Sequence, residues 1–91
     1  MSEIQVELMI QNQKGLHARA AAAVVKCLSD YDAEILVEKD GQEVEGSSIL
    51  GLMMLGASKG SKIKVKASGN QAREAVDSLT LLVNSLFGEE M

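Results

Sequence analysis

His17 is the only histidine in the chain, and it stands inside Gly15-Leu16-His17-Ala18-Arg19-Ala20-Ala21, where a loop gives way to an alanine-rich stretch. Alanine is the best helix former, so the ring is expected where a helix begins. A helix start presents unpaired N–H groups and the positive end of a dipole, and both favour anions. A neutral imidazole nitrogen is a nucleophile. Arg19, two residues on, carries a guanidinium fork that suits phosphoryl oxygens, and Gly15 lets the loop turn sharply and expose the ring. Such a group can take a phosphoryl unit on a ring nitrogen while nearby donors steady it. Taken alone, a lone histidine beside a lone arginine is more often a surface cap residue.

A second cluster has a different character. Ile49, Leu50, Met53 and Met54 lie close together in Ser47-Ser48-Ile49-Leu50-Gly51-Leu52-Met53-Met54-Leu55. One buried helix face cannot use that many apolar side chains. Leu52 and Leu55 are the expected core members, and the others are candidates for an exposed contact surface. Ser48 is placed to cap the helix that follows it. Cys27, the single cysteine, cannot pair within the chain and reads as a half-buried filler.

The composition narrows what these residues can serve. Ninety-one residues make one domain, 1–91. Apolar residues make up 46%, yet only Tyr31 and Phe87 are aromatic, so the core is aliphatic and base-stacking platforms are excluded. A net charge of −4 argues against nucleic acid, which needs clustered Lys and Arg. No apolar run approaches the roughly 20 residues that span a bilayer. The opening MSEIQVELMI has neither a basic n-region nor a long apolar one. Together with the lone cysteine, this leads us to expect a cytoplasmic monomer with no metal and no cofactor.

The elements that must position the histidine follow from periodicity. Ile4, Val6, Leu8 and Ile10 alternate with polar neighbours as a strand does. Asn12 to Gly15 break the pattern, and a helix is predicted from Ala18 to Leu28. Strands are predicted over Glu34–Lys39 and Glu43–Glu45, joined by the hairpin signal Asp40-Gly41. A short helix runs from Ile49 to Leu55. Lys62 to Ala67 alternates strictly between lysine and apolar residues. A last helix is expected from Gln71 to Leu86, capped by Asn70 or Gly69 and ended by Gly88. The order β-α-β-β-α-β-α implies an α+β open-faced two-layer sandwich, a four-stranded antiparallel sheet with three helices on one face. Glu3 and Glu7 on the first strand and three lysines on the fourth attract across neighbouring strands, so those two strands are expected side by side.

The His17 segment resembles the active-site motif of the HPr family of phosphocarrier proteins, which usually reads G-[LIM]-H-[AT]-R-P-A. The likeness runs along essentially the whole chain, through Lys26, the run from Ser47 to Gly56, and Leu82-Val83-Asn84-Ser85-Leu86-Phe87. It implies the same fold. It also implies that His17 carries a phosphoryl group on Nδ1, taken from enzyme I of the phosphoenolpyruvate-dependent phosphotransferase system and passed to an enzyme IIA domain. Arg19 would stabilise that group. The chain would be a carrier and not an enzyme with turnover of its own.

In this family the exposed apolar face of the second helix docks partners, which by resemblance assigns Ile49, Leu50 and Met53, with Ala22 and Lys26 at the edge. Ser48 matches a serine that a kinase modifies in some members. The ending Asn84 to Met91 and the Ser-Ser-Ile-Leu-Gly-Leu-Met-Met-Leu run resemble the nitrogen-related branch, NPr. One departure is Ala20, where the family has proline. The helix start should survive that change, and the rate of transfer is the property it bears on. The competing reading is an HPr-like regulatory module, controlled through Ser48, that docks on partners without relaying phosphate.

Overall fold

The structure, a computed structural model, describes residues 3–88. The elements follow the expected order: β1 (Ile4–Met9), α1 (Ala18–Leu28), β2 (Glu34–Lys39), β3 (Gln42–Glu45), α2 (Ile49–Met54), β4 (Lys62–Ser68) and α3 (Ala72–Asn84). A single 3-10 turn at Leu86–Gly88 closes the chain. The acidic tail Glu89-Glu90-Met91 lies outside the described residues.

The four strands make one antiparallel sheet in the order β1-β4-β2-β3. The strict alternation of β4 divides it between the two faces of the sheet. Ile63, Val65 and Ala67 are buried, while Lys62 and Lys64 are exposed on the opposite face. The three helices bury their stripes against the apolar face. Ala20, Ala21, Val24 and Leu28 come from α1, Leu52 from α2, and Ala72, Ala75, Val76, Leu79 and Val83 from α3. The core is aliphatic apart from Phe87, as the shortage of aromatics requires.

β1 and β4 are neighbours, as the charges suggested, with Glu7 opposite Lys64. The charge pattern extends further. Glu38 of β2 lies opposite Lys64 on its other side, and the Lys66 ammonium reaches across β2 to Glu43 of β3 at 3.1 Å and to Glu38 at 3.7 Å. The hydrogen bond to the Glu43 carboxylate, more than any other contact, holds the Lys66 ammonium above its ordinary pKa. Exposed pairs of this kind contribute little to stability. Their effect is to choose the neighbours of β4.

Two expectations at α3 are corrected. The helix starts at Ala72 with Gln71 as its cap residue, not Asn70 or Gly69. The reason is the turn after α1. The Asn70 amide donates to the Asp32 carboxylate at 3.1 Å, and Gln71 exchanges two hydrogen bonds with the Asp32 backbone. These side chains pin Asp32 and are not available to cap the helix. At the other end the helix stops at Asn84 and does not reach Leu86. Leu86 and Phe87 take positive φ, 62° and 56°, a conformation that costs on the order of 1 kcal/mol per bulky residue. The reversal turns the Phe87 ring into the core, where aromatic burial offsets the strain.

Cys27 sits half-buried on α1. Burial, followed by the Asp30 carboxylate, pushes its thiol above the ordinary value of 9.0, because both disfavour a thiolate. Iodoacetamide at pH 8 is therefore expected to alkylate folded Cys27 at least about threefold more slowly than the denatured chain, since the thiolate is the reactive form. Equal rates would contradict this. The linkage sign is that of a raised pKa: the contribution to stability is intact below about pH 9 and is lost as the pH rises through the folded value.

Candidate functional site

His17 is the cap residue of α1, in extended backbone at φ −79° and ψ −175°, and its carbonyl accepts the Ala21 N–H at 2.8 Å. The ring is half-exposed. Eleven residues of helix run away from it, so the N–H groups of the first turn and the positive end of the dipole gather at the histidine. Ala20 is fully buried at the third helical position, and the helix start survives without proline. Unlike proline, Ala20 also keeps its backbone N–H in that turn.

The loop before the histidine is held rigidly. The Asn12 side-chain amide donates to the Gly15 carbonyl at 2.9 Å, and the Gly15 N–H donates to the Asn12 carbonyl at 3.2 Å. Gly15 takes φ +66°, and a Cβ there would press against the Ala57 carbonyl oxygen and lie 2.8 Å from Ser58 Cα. The Leu16 N–H donates to that same Ala57 carbonyl at 2.8 Å, and Ile10 is bonded at both ends to Gly60 and Ser61. Asn12 is fully buried, a positioning role that the sequence reading did not give it. Its signal was an asparagine three residues before a loop glycine, where a side-chain amide can close a turn on the backbone.

The histidine opens onto a shallow depression of about 250 Å³, lined by Lys14, Leu16, His17, Met53, Gly56, Ala57 and Ser58. Among the described residues, no carboxylate lines it. Arg19 does not line it either. It is exposed on the first turn of α1, and side chains two positions apart on a helix do not share a face.

The apolar surface lies alongside. Leu52 and Leu55 are buried, as expected, whereas Ile49 (41%), Leu50 (67%), Met53 (40%) and Met54 (63%) are exposed. Met54 thus joins the three residues of this helix that the family resemblance assigns to docking. Met53 belongs to this face and to the histidine depression at once. Ala22 and Lys26 are exposed and follow Ala18 at four-residue steps, on one stripe of α1, and α1 packs beside α2. Ser48 caps α2: its Oγ accepts the Gly51 N–H at 2.9 Å. Among the described residues, no helix is long and apolar enough to cross a membrane.

Comparison with known proteins adds to this geometry. Residues 4–85 match the family model described as "PTS HPr component phosphorylation site". The chain is 41% identical to phosphocarrier protein HPr of Neisseria meningitidis serogroup A, over 94% of its own length and 97% of that protein's. It is 40% identical to phosphocarrier protein NPr of Escherichia coli, over 89% and 91%. The nitrogen-related branch therefore has a relative at the level reached by HPr itself. The structure superposes on HPr-C-His of Thermoanaerobacter tengcongensis with a TM-score of 0.88 and 43% identity, covering all of both chains. An HPr of that organism is also known as a dimer. Fold, length and sequence agree that this chain belongs to the HPr family, the small non-catalytic phosphocarrier proteins of the phosphotransferase system.

Proposed function

We propose that the chain is a cytoplasmic relay that takes a phosphoryl group from phosphorylated enzyme I onto His17 Nδ1 and delivers it to an enzyme IIA domain. The observation that carries this reading is the position of the only histidine. It caps an eleven-residue helix and opens onto a depression that adjoins an apolar helix face and that no carboxylate of the described residues lines. In the transfer, the ring nitrogen lone pair forms the N–P bond as the donor's bond to phosphorus breaks, and that electron pair leaves with the donor atom. The first-turn N–H groups of α1 face the transferred oxygens, and Arg19 swings in from the flank to bind them.

Ile49, Leu50 and Met53, with Ala22 and Lys26 at the edge, form the docking surface. Methionine suits it because a flexible, polarisable side chain can fit more than one partner. Ser48 is the point of control. A phosphate there would set about two negative charges beside Ile49 and Leu50 and remove the hydroxyl that now caps α2.

Incubation with phosphoenolpyruvate and enzyme I, followed by intact-mass spectrometry, tests the reading. One acid-labile phosphate is expected, and none in His17→Ala. An acid-stable phosphate confined to Ser48 would instead identify a regulatory module without relay.

A further inference from the structure

We propose that Lys14 is a second phosphoryl-binding residue, whose ammonium neutralises the group on His17 from inside the depression where the transfer occurs. The inference rests on the carrier reading of His17. Its observations are separate from those that support Arg19.

Among the described residues, Lys14 is the only titratable side chain besides His17 that lines the depression, in a protein with four more acidic than basic side chains. Its ammonium forms no ion pair with any described residue. Lys66 of the sheet behaves differently, since its ammonium is already engaged by two carboxylates.

The placement of Lys14 follows from backbone geometry. The turn from Asn12 to Gly15 is closed by two hydrogen bonds and by the left-handed conformation of Gly15. The contact of Gly15 with Ala57 and Ser58 fixes that turn against the far wall of the depression. Lys14, three residues before His17, is thereby brought to the same opening as the ring. The first-turn N–H groups of α1 approach the ring from one side, and Lys14 approaches from the loop side. A phosphoryl dianion on the ring would find both. An ammonium is a mobile point charge with three donors, so it can follow the group as the N–P bond forms or breaks.

The test uses the full chain and a small donor, phosphoramidate, so that partner docking does not enter. The rate of phosphohistidine formation is read by intact mass and by phosphorus NMR. Lys14→Gln is expected to lower that rate about tenfold at low salt, a modest loss for one charged donor because the site is open to water. The deficit should narrow as salt screens the wild-type ammonium. Lys14→Arg should recover most of the rate, and Lys59→Gln, on the exposed neighbouring turn, should leave it unchanged. A wild-type rate in Lys14→Gln, or a deficit that does not change with salt, would overturn the assignment. If wild-type His17 took up no phosphoryl group, the carrier reading would fail first and take this one with it.

Discussion

Gly15→Ala is expected to lower the stability of the folded chain by about 3 kcal/mol, the combined scale of left-handed strain and overpacking. Two effects add at this position. At φ +66° an L side chain costs on the order of 1 kcal/mol. The new Cβ would also meet backbone, the Ala57 carbonyl and Ser58 Cα, and backbone cannot rotate aside as the end of a side chain can. Moving Ala57 away would break the hydrogen bond it accepts from Leu16. A domain of this size has only about 5–13 kcal/mol in total, so the melting temperature should fall by roughly 12–24 °C. Gly41→Ala is the control. It has an even more positive φ, +85°, but nothing within 4 Å of a Cβ, so it should lose only the strain, about 1 kcal/mol. Equal losses in the two variants, read by thermal and urea denaturation, would show that the contact with residues 57 and 58 carries no weight.

Leu52→Ala should cost about 3–4 kcal/mol, within the range for a leucine truncated in a packed core. Leu52 is 1% exposed and is the only buried residue of α2. Six residues do not make a helix that is stable by itself in water. Without this anchor, α2 loses its hold on the core together with Ile49, Leu50, Met53 and Met54. Hydrogen exchange should therefore show α2 amides exposed at a lower free energy than those of β4. Leu50→Ala, at 67% exposure, should change stability by no more than about 0.5 kcal/mol. If the two leucines proved equal, the division of α2 into an anchoring face and an outward face would be wrong.

Much of this was readable in the chain because the signals were local and periodic. The β4 alternation places Lys62, Lys64 and Lys66 on one side and Ile63, Val65 and Ala67 on the other, and no long-range contact is needed to see it. The spacing from Ala18 to Leu28 defines α1 to the residue. What escaped depends on chain segments far apart in sequence. Asn70 looks like a helix cap until Asp32, 38 residues away, engages its side chain, and the helix then starts after Gln71. The reversal at Leu86 and Phe87 contradicts their intrinsic preference and is dictated by the core they close. At the site, type and position made the histidine a candidate, and only the family resemblance raised it above a surface cap. The burial of Asn12 and the presence of Lys14 in the same depression depend on residues 57 and 58, which no local pattern brings to that loop.

The strand order also determines when the protein acquires its chemistry as it is made. β1 lies at the sheet edge, and its neighbour is β4, which begins at Lys62. The loop that presents His17 is likewise fastened to residues 57–61. A nascent chain that has emerged only as far as α2 holds Lys14, His17 and Arg19 but has nothing to brace them against. The site therefore matures late, when roughly the last third of the chain arrives, and such non-local closure is the slow part of folding. If His17 carries the phosphoryl group as proposed, unfinished chains do not compete for its donor.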